Sequence, residues 1–208
     1  MKLKLLIALA ALAAVPVYAQ SRKSQPKAQD FPTLHASALK HFEEKKFGDC
    51  IQTLNELIRL AQGGLWDTVV AAHPAPVEGF EYQEPKRNEV NAAFLQGLAG
   101  MQQPIEWDYR KSGGSISVSV HPNSPAAPIL EATMKMAAMQ ENVEEIGYEK
   151  HKGLLEKQES GRLELKILIW GKHLITVTAQ GLTEDGLFAM FNQAFVNSLA
   201  SILGAPSE

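Results

Sequence analysis

The chain has 208 residues, with 20 Lys and Arg against 23 Asp and Glu and a formal net charge of −3. Nucleic-acid binders normally carry a basic face, because neutralised phosphates supply most of their affinity. This acidic chain has no basic stripe, which argues against a nucleic-acid partner. The single cysteine, Cys50, excludes an internal disulfide. It is predicted to be a small buried side chain near a helix start.

Residues 1–19 are predicted to be a secretory signal peptide. Lys2 and Lys4 give a basic start, residues 5–15 are apolar, and Val17 and Ala19 place small residues before a cleavage site. The apolar run has eleven residues, whereas a spanning helix needs about twenty. We therefore expect a periplasmic or secreted protein cleaved near Ala19, with no membrane span in the mature chain. Residues 20–29 are polar and predict a disordered leader.

Residues 30–72 are predicted to form a helical hairpin. Pro32 suits the first turn of a helix over 32–46, with Asp30 or Thr33 as its cap. A turn at 47–49 follows, and the second helix has apolar residues at alternating spacings of three and four that predict a seam against the first helix: Ile51, Leu54, Ile58, Ala61, Leu65, Thr68 and Ala72. Gly63 and Gly64 predict a bend or an early end.

Residues 73–79 are predicted to be a linker, since Pro74 and Pro76 stop the helix. The remainder, 80–208, predicts an α+β domain. Residues 79–82 are predicted to form a short strand, and 88–102 are predicted to form a weak amphipathic helix or a mobile loop. A hairpin with alternating apolar residues spans 105–120. A helix over 125–140 precedes four strands, at 143–150, 153–159, 162–170 and 173–179.

The chain ends in one amphipathic helix, which Thr183, Glu184 and Asp185 are predicted to start. Its apolar residues, from Leu187 to Ile202, predict that it lies across the sheet. Because successive strands have short connections, they are expected to pair antiparallel. The fold class is therefore α+β, with an N-terminal helical hairpin followed by an antiparallel sheet covered by helices.

The segments "EIGYEKHKG" at 145–153 and "GRLELKILIWGKHLITVTAQGLTEDGL" at 161–187, after a Met-rich helix, carry a resemblance. In order and pattern, residues 34–203 resemble a group of uncharacterised secreted bacterial proteins with a helical hairpin before a Mog1/PsbP-like domain. The resemblance implies a fold, and it favours binding, since such domains are generally non-catalytic adaptors or assembly factors. The chain departs from the group's pattern at Phe80 and over 92–103.

No catalytic constellation stands out. Ser37 and Lys40 form an SxxK pattern, but the further motifs of penicillin-recognising serine enzymes are missing. The histidines have none of the spacings that place two imidazoles on one metal: His35, His41, His73, His121, His151 and His173. We therefore predict a protein that is not an enzyme and has no cofactor.

Met134, Met136 and Met139 form an MxMxxM pattern, whose thioethers suit Cu(I) in an envelope compartment. On a regular helix Met134 and Met136 are about 200° apart, so ligation by all three sulfurs requires unwinding. The alternative is a Met-lined helix that packs on the sheet or on a partner.

The first functional hypothesis is a non-enzymatic envelope protein that acts through contacts with an unidentified protein partner. The alternative is binding of a small apolar ligand, or Cu(I), between the sheet and residues 88–102 and 125–140; an enzyme of unknown type is third. Ordinary core packing remains an open explanation for each candidate contact residue: Phe94, Leu98, Met101, Met134, Met136 and Met139.

Overall fold

A computed structural model describes residues 30–85, 103–137 and 140–204, without the side chains of 135 and 137. Segments 1–19, 20–29 and 88–102, for which a signal peptide, a leader and a weak helix are predicted, lie outside these ranges. The chain divides into two compact units, the first ending at Leu57 and the second beginning at Ile58.

The first unit contains a pair of helices. Helix α1 spans Phe31–Glu43, and the Asp30 carboxylate caps it by accepting from Thr33 N at 3.0 Å. A three-residue connection reverses the chain, with Lys45 at φ +57°. Helix α2 spans Phe47–Ala71 and continues into the second unit. The predicted helical pair is confirmed, although α2 begins at Phe47 instead of after a turn at 47–49.

The side of α2 that is buried in the first unit differs from the predicted seam. Cys50 and Leu57 are buried, whereas Ile51 and Leu54 are 60% and 44% exposed. Cys50 Sγ donates to Ala38 O at 3.4 Å, which confirms the prediction of a buried cysteine. Because one residue turns a helix by about 100°, the predicted seam lies beside the buried face.

Helix α2 runs through Gly63 and Gly64 without interruption, so the predicted early end is wrong, while a bend at the two glycines stays a prediction. The last turns of α2 belong to the second unit, where fully buried Val69 is part of the core. Packing of this apolar turn offsets the low helix propensity of the two glycines.

We expect Gly64→Ala to raise the free energy of unfolding by about 0.5–1 kcal/mol, because alanine loses less backbone entropy in a helix. A Cβ at Gly64 would meet nothing within 4 Å. Gly113→Ala is the matched control. A Cβ there also has open space, but its backbone has φ +75°, so this variant is expected to destabilise. Chemical denaturation of both variants measures the difference, and stabilisation by both would contradict the explanation.

The second unit is built on a seven-stranded antiparallel sheet with the order β1-β2-β3-β7-β6-β5-β4. Its strands are β1 Glu81–Gln83, β2 Ile105–Lys111, β3 Gly114–His121, β4 Val143–Tyr148, β5 His151–Lys157, β6 Leu163–Ile169 and β7 His173–Gln180. The predicted α+β fold with antiparallel strands is therefore confirmed.

Helices cover both faces of this sheet. The larger core lies on one face, where Trp107, Val118 and Leu165 are buried together with the end of α2. Helix α3, Ala127–Ala137, lies on the other face, where Ala127 and Met134 form a smaller cluster with Leu154 and Leu168. Leu154 and Leu155 belong to different clusters because successive side chains of a strand point to opposite faces.

The C-terminal segment forms two helices, and the prediction of a single helix is wrong. Helix α4 spans Glu184–Met190, helix α5 spans Gln193–Leu203, and their axes bend by 41°. Thr183 caps α4 as predicted. Asn192 is extended and its side chain accepts from Phe195 N at 3.1 Å, which starts the second helix.

No single helix among the described residues has both the length and the apolar composition of a membrane span, and only the bent pair α4 and α5, taken together, meets both criteria.

Candidate protein interface

The first unit presents large apolar side chains to solvent on both of its helices. Six of them are between 44% and 62% exposed, and we call them the apolar face: Phe31, Leu39 and Phe42 on α1, with Phe47, Ile51 and Leu54 on α2. The rings of Phe42 and Phe47 are in edge contact, with centroids 5.9 Å apart and an interplanar angle of 69°. This contact joins the two rows at the end where the helices meet.

The two rows lie on the same side of the helical pair. On α1 the buried residues are Leu34 and Ala38, and the exposed row lies about 75° from them around the helix axis, in the sense in which the chain winds. On α2 the buried residues are Cys50 and Leu57, and the exposed row lies about 75° from them in the same sense. Because the helices run in opposite directions, equal rotations bring both rows to one side.

The apolar face is large for a surface feature. A phenylalanine side chain contributes roughly 150–250 Å² when fully exposed, so six half-exposed side chains leave about 500–600 Å² of apolar surface. The largest apolar patch on a typical monomeric protein is about 300–600 Å² and is often functional, and a standard interface buries about 800 Å² on each partner. The face thus has the area expected for the apolar centre of a protein interface.

Polar side chains border this face. His35 lies in the same row of α1, and the helical positions of Glu43 and Asn55 place them along its outer edges; all three are exposed. An apolar centre with a polar border is the usual arrangement of residues at a protein interface.

Exposed ion pairs lie at the turn between the helices. Lys46 Nζ lies 2.7 Å from a Glu44 carboxylate oxygen, and Lys40 Nζ lies 3.9 Å from the other. The hydrogen bond from Lys46 lowers the pKa of the Glu44 carboxyl and raises the pKa of the Lys46 ammonium. Such exposed ion pairs contribute little stability. The two helices are therefore held together mainly by burial of Leu34, Ala38 and Leu57.

None of the residues predicted as contacts belongs to the set that defines the apolar face. Phe94, Leu98, Met101 and Met139 lie outside the described residues. Met134 is buried in the cluster beneath α3, whereas Met136 is 69% exposed. The helix therefore does not bring these two sulfurs together, and a Cu(I) site using both requires the unwinding noted above. Binding of Cu(I) or of a small apolar ligand stays a prediction.

Within the described ranges, no group of three or more His, Cys, Asp or Glu side chains lies close enough to hold a metal ion. Comparison with protein-family models, curated proteins and solved structures gave no match for this chain. The resemblance to secreted proteins with a Mog1/PsbP-like domain accordingly stays a prediction.

Proposed function

We propose that this chain is an exported, non-enzymatic protein of the cell envelope that docks another envelope protein through the apolar face. The observation that supports the proposal most strongly is the exposure of three apolar side chains on each helix, all on one side. Leaving this surface in water is unfavourable by about 25 cal/mol per Å². A partner that covers it recovers that free energy.

The occupant we propose is an amphipathic helix of the partner. Phe47, Ile51 and Leu54 follow one another at spacings of four and three residues, the repeat by which helices insert side chains between those of a neighbouring helix. Leu39 and Phe42 supply a second row from α1. A third helix laid between the two rows would contact both.

The test is affinity capture of the mature protein from envelope extracts of its native host, with bound proteins quantified by mass spectrometry. Ile51→Glu and Leu54→Glu place a charge on the apolar face, and Gln52→Glu places the same charge on an exposed neighbour outside it. We expect both face variants to lose one common protein, with at least a tenfold drop in recovery, and Gln52→Glu to retain it. An effect of this size corresponds to about 1.4 kcal/mol.

Two results would overturn the proposal. The first is equal recovery of every captured protein by all three variants. The second is self-association of the chain that only the face variants abolish, with no other protein lost, because the occupant would then be a second copy. Circular dichroism spectra of the variants establish that the helices are retained.

Export is tested separately by fractionation and N-terminal sequencing. We expect the product in the extracytoplasmic fraction to begin at Gln20, because Val17 and Ala19 suit the cleavage site. Replacing Ala19 by Arg is expected to block cleavage and leave the full-length precursor. Accumulation of an uncleaved chain in the cytoplasm of the unmodified strain would contradict export.

A further inference from the structure

The second unit contains an open groove of about 490 Å³ between the last turns of α2 and strand β1. Its volume is in the range of small-ligand sites. Most of the lining residues are aromatic or acidic, and two are aliphatic: Trp66, Asp67, His73, Tyr82 and Glu84, with Val70 and Ala71. We call this feature the aromatic groove. It does not involve the apolar face, so its test is independent of the proposed function.

One wall of the aromatic groove is a fixed stack of rings. The His73 and Tyr82 rings lie parallel, with centroids 3.9 Å apart and an interplanar angle of 13°. His73 Nδ1 lies 2.9 Å from Val70 O, a hydrogen bond that sets the orientation of the imidazole. The Tyr82 ring also lies against the buried ring of Tyr109, with centroids 5.7 Å apart. This wall therefore does not need to be ordered when a ligand binds.

The charges of the groove are acidic. Asp67 comes from α2 and Glu84 follows β1, and both are exposed. Neither carboxylate has a cationic side chain within ion-pair distance in the described part of the chain. Partial burial and the negative charge of Glu84 raise the pKa of the Tyr82 hydroxyl. The negative potential and the ring faces both favour a cation.

We propose that the aromatic groove binds the side chain of an arginine presented by a peptide segment of a partner protein. A guanidinium is planar, so it stacks on an aromatic ring, and its N–H groups point outward in the ring plane toward acceptors. Carboxylates on two different elements, Asp67 and Glu84, supply such acceptors. An ammonium lacks the planar stacking surface, and lysine is therefore the weaker ligand.

The test is titration of the mature protein with the peptide acetyl-Gly-Arg-Gly-amide, followed by two-dimensional NMR of the indole N–H groups. The chain has three tryptophans, and only Trp66 lines the groove. We expect the Trp66 signal to shift in a saturable manner, while the Trp170 signal stays in place and reports an intact fold. The same peptide with citrulline, a neutral analogue of arginine, should bind at least fivefold more weakly.

Variants distinguish the groove from general attraction to an acidic protein. Asp67→Asn and Glu84→Gln should each weaken binding roughly two- to fivefold, the range for exposed ion pairs. Glu159→Gln removes an exposed carboxylate outside the groove and should leave binding unchanged. Equal binding of the citrulline peptide, an unshifted Trp66 signal, or the same weakening in all three variants would each overturn the proposal.

Discussion

Replacing Tyr109 by Phe is expected to lower the free energy of unfolding by about 2–3 kcal/mol, because the buried indole N–H of Trp107 and the partly buried carbonyl of Pro74 lose their partner together. The Tyr109 hydroxyl donates to Pro74 O at 2.8 Å and accepts from Trp107 Nε1 at 3.2 Å. Tyr109 is fully buried and Trp107 is 2% exposed. Burial raises the pKa of the Tyr109 hydroxyl well above its usual range, so it is protonated and donates at neutral pH.

The matched control is Tyr82→Phe. Tyr82 is half-buried, and its hydroxyl has no hydrogen-bond partner among the described residues, so we expect a change within about 0.5 kcal/mol. Urea denaturation monitored by tryptophan fluorescence measures both variants. Equal stability of Tyr109→Phe and the unmodified protein would show that the bonds joining β2 to the segment after α2 do not stabilise the fold.

Acidification below pH 6.5 is the second change expected to have a large effect. Burial lowers the pKa of His121, His151 and His173, and Glu106 and Glu149 only partly oppose this at His121 and His151. Lys150 and Lys172 lower the pKa of His151 and His173 further, while a hydrogen bond to the Gly204 backbone opposes the shift at His173. The unfolded chain therefore binds more protons than the folded chain just below pH 6.5.

Because the unfolded chain binds more protons, acidification lowers the free energy of unfolding. The stability that the three neutral histidines contribute to the folded state is fully present above the unfolded histidine pKa of 6.5. It is lost as the pH falls through the lower pKa values of the folded state. Each histidine contributes at most about 1.4 kcal/mol per pH unit, and we expect a total loss of about 1–3 kcal/mol between pH 7.5 and 5.5.

Unfolding free energies measured at pH 7.5, 6.5 and 5.5 test this expectation. His121→Gln keeps an amide near the position of Nε2, which lies 2.9 Å from Ser119 Oγ, and removes one titrating group. This variant should lose less stability on acidification than the unmodified protein. A stability that stays constant or rises from pH 7.5 to 5.5 would contradict the role given to His121, His151 and His173.

The sheet could be predicted from the sequence because its strands alternate apolar and polar residues. In β2 and β3, Trp107 pairs with Val118 and Tyr109 pairs with Ile116, and all four side chains are buried on one face. Because successive side chains of a strand point to opposite faces of the sheet, apolar residues at every second position all lie on one face, which is the face that is buried. The short connections between β4, β5, β6 and β7 then determined antiparallel pairing.

The apolar face could not be predicted in the same way. The 3,4 spacing of Ile51 and Leu54 reveals a row on α2 but not the neighbour that it faces. Cys50 and Leu57 form the buried row instead, about 75° away from the exposed row around the helix. The break between α4 and α5 was hidden for a related reason: Leu187, Phe191, Phe195 and Leu199 keep a four-residue spacing across it and are all buried.

The burial of the two methionines on α3 could not be predicted from their residue type. Met134 and Met136 have the same chemistry, and only the direction of each side chain on α3 separates a core residue from an exposed one. Sequence spacing indicated that the two lie on different sides of a helix, but not which side faces the sheet.

The most direct test of docking through the apolar face is site-specific photo-cross-linking in the native envelope. A benzoylphenylalanine is introduced at Ile51, in the apolar face, or at the adjacent exposed Gln52, about 100° away around α2. We predict one cross-linked adduct of defined mass from position 51 and none from position 52. The absence of an adduct at both positions, or the same adducts at both, would contradict docking through this face.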